Sequence, residues 1–243
     1  MQPSLTIVTR RELGRHFQGM TGWAFLTILM VSFGIAYQSV AFGPKVVTTA
    51  FVLHSLFTLA FGVVAVGAVL AGMGSMSQEY NKGTIFFYDT AHISSLTMVV
   101  GKWIATTIFC LVFLALSIVF PLHLSAHAPV SMGHVAIGYL GLALVACLVS
   151  AVTVTCSAMV RFQHLAAVLS LATLGFMIVS WWFAKRVDPP LSTHVLDLAV
   201  FERHFARSFA DGVLRLQDVV FYLTWTGAFL FAGTLVVNRR RAR

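Results

Sequence analysis

Long uninterrupted apolar runs, separated by short polar stretches, dominate this chain. Runs free of Asp, Glu, Lys and Arg lie at roughly 20–42, 46–76, 103–122, 135–160, 165–184 and 219–237. Each is long enough to cross a bilayer as a helix, which takes about 20 apolar residues. Gly43 and Pro44 mark a turn after the first run, so the second helix is expected to begin near Ala50. A membrane β-barrel would instead alternate apolar and polar positions in stretches of about ten residues. The pattern therefore predicts an all-α integral membrane protein in one membrane domain. Its six spans are expected at about 20–42, 50–76, 101–122, 135–160, 165–184 and 219–237.

Two connections carry helical periodicity of their own. Over about 4–18, Leu5, Val8, Leu13, Phe17 and Met20 fall on one broad helical face, with Arg10, Arg11 and Arg15 away from it. That is the pattern of a helix lying in the membrane interface. Between spans five and six, Phe201, Phe205, Phe209 and Val213 recur every four residues while Glu202, Arg203 and Arg207 lie elsewhere. An amphipathic outer helix is expected there, with Leu196 and Leu198 as a possible extension. Pro189 and Pro190 keep it from fusing with span five.

Composition agrees: 58% of the residues are hydrophobic and 10% charged, against about 25% charged in a soluble domain. The formal charge of +8 is first a topology signal, because basic loops are retained in the cytoplasm. With the N-terminus inside, the inner segments hold Arg10, Arg11, Arg15, Lys82, Lys102, Arg161, Arg239, Arg240, Arg241 and Arg243. The outer ones hold Lys45, Lys185, Arg186, Arg203, Arg207 and Arg215. Subtracting acids leaves +7 inside and +1 outside. Both termini are expected in the cytoplasm, and the basic terminus is not read as a nucleic-acid contact. Cys110, Cys147 and Cys156 all fall inside apolar runs and imply no disulfide framework. The basic N-terminal segment has the features of an interfacial helix rather than of a cleaved signal peptide.

Candidate chemistry is sparse. No GxxxxGK[ST] loop, HExxH pair, GxGxxG turn or CxxC occurs, so no catalytic residues are assigned and ATP-driven work would fall to another chain. Apart from His54 and the edge residue Lys102, the spans lack ionisable groups, unlike proton pumps and ion channels with charged rings. His54 is read as a satisfied polar residue. His123, His127 and His134, with Met132, cluster in an outer loop, and imidazole with thioether suits copper. Pro129 interrupts the group and no carboxylate or thiolate joins it, so a polar loop end is the favoured reading and no metal site is assigned. Ser150, Thr153, Thr155 and Ser157 cluster in span four without a facing base, which leaves a membrane-embedded enzyme weakly supported. Gly62, Gly67, Gly72, Gly74, Gly138 and Gly141 allow close helix packing.

The segment at about 77–96, between spans two and three, is the most informative. Glu79, Lys82, Gly83 and Thr84 precede the apolar patch Ile85, Phe86, Phe87 and Tyr88, and Gly101 and Lys102 open the next span. An apolar patch on a polar connection calls for a covering partner. The ordered set QE, GT, apolar patch and GKW resembles the same connection in type 2 ABC permeases. The tail FERHFARSFADGVLRLQDVVFYL, the basic terminus and the leading Arg11-Glu12-Leu13 resemble that family as well. The likeness is greatest to the permeases of gliding-motility and nitrous-oxide-reductase-maturation exporters. Where those relatives carry a proline after the patch, this chain has Tyr88, Asp89, Thr90, Ala91 and His92.

The resemblance implies a permease subunit of an exporter in the bacterial inner membrane. It implies a separate ATP-binding subunit that holds ATP and Mg, a second copy of this chain or a homologous permease, membrane lipid, and a periplasmic or accessory protein. Segment 79 to 95 would contain the coupling helix, with Ile85 to Tyr88 as its buried contact. Arg161 and His164 in the short turn between spans four and five would be a second contact. A non-transporting assembly or scaffold subunit is the competing reading.

Overall fold

The computed structural model of the chain describes residues 2–41, 48–84, 93–186 and 198–241. The described residues form α1 (Gln2–Phe17), α2 (Met20–Ala41), α3 (Thr49–Gly72), α4 (Ser77–Lys82), α5 (Ser95–Ser117), α6 (Val119–Ser125), α7 (Met132–Met159), α8 (Gln163–Ala184) and α9 (Leu216–Arg241). No strand occurs among them. Helices α2, α3, α5, α7, α8 and α9 are each long and apolar enough to cross a membrane. The protein is thus an all-α, multi-pass membrane protein. Cys110, Cys147 and Cys156 are free thiols.

Local chemistry sets the helix ends. Ser94 caps α5, its hydroxyl accepting from the Thr97 amide at 3.1 Å, and Thr48 does the same for α3 through the Phe51 amide at 3.4 Å. The third span therefore starts at Ser95 rather than at Gly101, and Lys102 lies two turns inside it. The break between α5 and α6 falls at Ile118, just before Pro121, whose ring cannot sit against the carbonyl four residues back. Gly83, at φ +68°, ends α4 in the left-handed region.

Helix α7 is the axis of the bundle. Every residue from Leu148 to Ala158 is buried, as expected of a helix surrounded on all sides. Its Gly138 lies against the Phe57 ring and its Gly141 against Phe209, so closely that a Cβ at either would overlap the aromatic side chain. These glycines serve packing within the chain, whereas Gly62 of α3 faces open space. Helix α2 is peripheral: Leu26, Leu29, Phe33 and Tyr37 face inward, while Ile28, Val31 and Ile35 point outward. Lipid covers such outward apolar faces.

One expectation is corrected. The segment between α8 and α9 is not one amphipathic α-helix. Among its described residues it forms a π-helical turn, Glu202–Ala206, and a 3₁₀ turn, Phe209–Asp211. The Ala206 amide reaches back five residues to Phe201 O at 2.8 Å, and that wider turn keeps aromatics spaced by four on one face. Phe205 and Phe209 are fully buried, and Phe61 packs against Phe201 and Phe205 at ring centroid distances of 4.9 and 5.0 Å. Gly212, at φ +73°, then turns the chain so that Val213 is exposed. Leu196, Pro189 and Pro190 lie outside the described residues.

Helix α1 forms where expected, with Leu5, Leu13 and Phe17 half-buried. Val8, Glu12 and His16, spaced by four, are its buried residues, while Met20 just beyond it is exposed. The helix therefore packs edge-on against the start of α5 through a stripe containing a carboxylate and an imidazole.

Candidate functional site

The site lies at the end of the bundle where α1 and the C-terminus of α9 meet. Gly101 lets α1 approach α5: a Cβ there would stand 2.8 Å from Val8 Cγ1, and the Thr9 hydroxyl donates to Gly101 O at 3.3 Å. One turn further along α1, Glu12 reaches Lys102. The Lys102 ammonium stands 2.9 Å from Glu79 Oε1 and 3.4 Å from Glu12 Oε2, and no part of its side chain is exposed. Glu12 is also paired with Arg15. Three distant segments, α1, α4 and α5, are thus tied by one buried charge cluster.

A helix break supplies the remaining partners. Helix α3 ends at Gly72 and α4 begins at Ser77, which frees carbonyls at the negative end of a helix dipole. Lys102 Nζ donates to Ser75 O, and Arg15 Nη1 donates to Gly74 O at 3.2 Å. Ser157 of α7 steadies the break: its hydroxyl donates to Met73 O at 2.8 Å and accepts from the Met76 and Ser77 amides at 3.1 and 3.0 Å. An ammonium removed from water needs this degree of satisfaction, because an unmatched buried ion costs several kcal/mol.

The basic tail is also structural. Arg240 donates to Met159 O and its guanidinium lies 4.5 Å from the Tyr80 ring centroid. Arg241 donates to Ile93 O at 2.7 Å. The tail therefore clasps the ends of α4, α5 and α7. Trp103 completes the Gly-Lys-Trp run by donating from Nε1 to Cys147 O at 2.9 Å, which fixes α5 to α7.

Burial separates the sequence-expected coupling residues. Glu79 faces inward, whereas Lys82, Gly83, Arg161 and His164 are exposed and Thr84 is half-buried. Gln78 Nε2 donates to Gln163 Oε1 at 2.5 Å, so α4 and the turn before α8 are in contact. His164 stacks on Phe162 at a centroid distance of 5.6 Å. Ile85, Phe86, Phe87 and Tyr88 lie outside the described residues.

Scans of the chain against protein-family models and against curated proteins find no match. Function has to be argued from the geometry.

At the opposite end, His134 bonds through Nε2 to Ala210 O at 2.8 Å, while His123 and His127 lie together with ring centroids 4.7 Å apart. No group of three His, Cys, Asp or Glu positioned for a metal occurs among the described residues. His54 pairs with Asp211 at 2.7 Å. Sequence reasoning missed the buried His204–Asp218 pair, also 2.7 Å apart, because the two residues stand on different elements. In α7, Thr153, Thr155 and Ser157 donate to the backbone carbonyls of Val149, Phe229 and Met73 at 2.7–2.8 Å. The Thr155 and Ser157 bonds join α7 to its neighbours, and the Thr153 bond stays within α7.

Proposed function

We propose that this chain is the membrane-spanning subunit of an ATP-driven transporter of the type 2 ABC kind, with the Glu12–Lys102–Glu79 cluster joining its interfacial helix to its ATPase-docking segment. The observation that carries the reading is convergence. The Arg-Glu-Leu of the N-terminal helix, the Gln-Glu of α4 and the Gly-Lys-Trp of α5 resemble that family separately in sequence, and they meet at one buried lysine. Residues 85–92 follow directly on α4, so a push on that segment would be delivered to Glu79 and, through Lys102, to α5 and α1.

In this reading the basic end faces the cytoplasm of a bacterial inner membrane, and a separate ATPase binds ATP and Mg. Ile85, Phe86, Phe87 and Tyr88 seat in that ATPase, and the exposed Arg161 and His164 provide a second contact beside Gln78. ATP-driven closure of two ATPases switches two permease subunits between inward and outward states as rigid bodies. Among the described residues the ion pairs lie toward the two ends of the bundle, the Glu12–Lys102–Glu79 cluster at one and His54–Asp211 and His204–Asp218 at the other, rather than midway along the spans, which favours coupling over ion conduction.

The test is co-purification. The full chain, expressed with a candidate ABC ATPase subunit from the same genome, should bring that subunit down, and Phe86→Asp should abolish the association while membrane insertion persists. Retention of the ATPase by Phe86→Asp, or ATP hydrolysis indifferent to this chain in lipid, would refute the reading and leave a non-transporting assembly subunit.

A further inference from the structure

A cavity of about 520 Å³ opens beside the charge cluster, where the turn from α1 to α2 meets the end of α3. Its walls are of two kinds. Phe25, Leu70, Ala71 and Phe109 form an apolar side, and Arg15 and His16 form a polar side. Arg15 is the one charged residue lining it. His16 is 8% exposed, and its Nε2 makes no hydrogen bond to any described residue. Its ring lies on Phe109 at a centroid distance of 5.1 Å, at the cavity wall.

We infer that this cavity binds an anionic phospholipid, with the phosphate at Arg15 and His16 and the start of an acyl chain along Phe25, Leu70 and Ala71. A buried imidazole nitrogen with no partner in the protein is costly, and a phosphate oxygen accepting from Nε2–H would satisfy it. Arg15 donates to Gly74 O and is ion-paired with Glu12, and a guanidinium has five donors. The surroundings favour an anion over a cation: the charges of Arg15 and Lys102 both disfavour protonation of His16. The apolar wall decides between lipid and free phosphate, because an inorganic anion has no use for it. The place also fits, since α1 ends and the first membrane-spanning helix, α2, begins here, and a helix end that enters the bilayer passes the headgroup level. A second cavity of about 580 Å³ adjoins it through Arg15 and Gln78 and carries Arg11 and Lys82, with Glu12 and Glu79 as the acidic members of its lining. This inference does not rest on the transporter reading.

Native mass spectrometry of the full-length protein in detergent, with equimolar phosphatidylglycerol and phosphatidylcholine, tests it. The wild type should retain phosphatidylglycerol over phosphatidylcholine by about tenfold. His16→Phe keeps a ring on Phe109 but removes the donor, and Leu70→Trp fills the apolar half. Either change should bring retention of phosphatidylglycerol down to that of phosphatidylcholine, with the helical circular dichroism signal unchanged. A variant that loses that signal is set aside and the other decides. Millimolar inorganic phosphate should not displace the lipid. Equal retention of the two lipids by the wild type, retention undiminished in the folded variants, or displacement by phosphate would each overturn the assignment.

Discussion

Lys102, with no part of its side chain exposed, and the largely buried Glu79 form an ion pair, 2.9 Å from Nζ to Oε1, between two helices whose sequence positions suggest only a loop edge and a span edge. Breaking such a pair on one side leaves a charge uncompensated, at a cost of about 3–5 kcal/mol. Lys102→Met should therefore lower the unfolding midpoint in detergent sharply, because Glu12 and Glu79 both lose the ammonium between them. The triple variant Lys102→Met, Glu12→Gln, Glu79→Gln should recover most of that loss. If the single and triple variants unfold alike, the cluster does not hold the junction together.

Gly101 sets how closely α1 can lie. A Cβ there would approach Val8 Cγ1 to 2.8 Å and Val8 Cβ to 3.1 Å, and Val8 is buried with little room to retreat. Gly101→Val should cost about 1–3 kcal/mol by overpacking and lift α1 from the bundle. Hydrogen exchange over residues 5–16 should rise by orders of magnitude relative to α7, and Gly101→Val with Val8→Ala should restore protection. Unchanged exchange in the single variant would mean that α1 is held mainly by its charged residues.

Six spans were legible because a run of apolar residues long enough to cross a membrane has few other uses. The observed α2, α7, α8 and α9 begin and end within a few residues of their runs. The start of the third span was harder to place, because Ser94 and Ser95 resemble loop residues until the cap is seen. The charge cluster was legible in parts only. Glu12, Glu79 and Lys102 each stand in a motif, yet their pairing depends on Gly101 admitting α1 and on the break after Gly72 turning two carbonyls toward the cations. Neither event leaves a mark in hydropathy. The same holds for α1, whose contact stripe on the bundle includes Glu12 and His16 because of what faces it.

The segment between α8 and α9 is fastened by His204 and Asp218. The two are buried with Nδ1 2.7 Å from Oδ1, and the imidazole stacks on Phe221 at 3.9 Å between centroids. Tyr222, beside them, donates to Val200 O at 2.9 Å. Asp218→Ala removes the carboxylate from a buried donor, a loss of about 1–3 kcal/mol. Local opening of residues 198–213 should follow, read as faster hydrogen exchange there with little change in α7. His204→Phe, which keeps the stack but not the bond, should give an intermediate effect. Equal protection in all three proteins would assign the fastening to Phe205 and Phe209 alone.

His16 gives the junction a pH dependence of defined sign. Burial, with the neighbouring Arg15 and Lys102 charges, lowers its pKa from 6.5 to about 4. Below pH 6.5 an unfolded chain takes up this proton while the native protein does not, so the unfolded state binds more protons and stability rises with pH across the window. The contribution is intact above pH 6.5 and is lost as pH falls toward 4, to a limit on the order of 3 kcal/mol. Unfolding midpoints measured between about pH 7 and pH 4.5 should fall more steeply for the wild type than for His16→Phe, which has no proton to take up. Parallel decline of the two curves from pH 6.5 downward would place the buried imidazole outside the folding linkage.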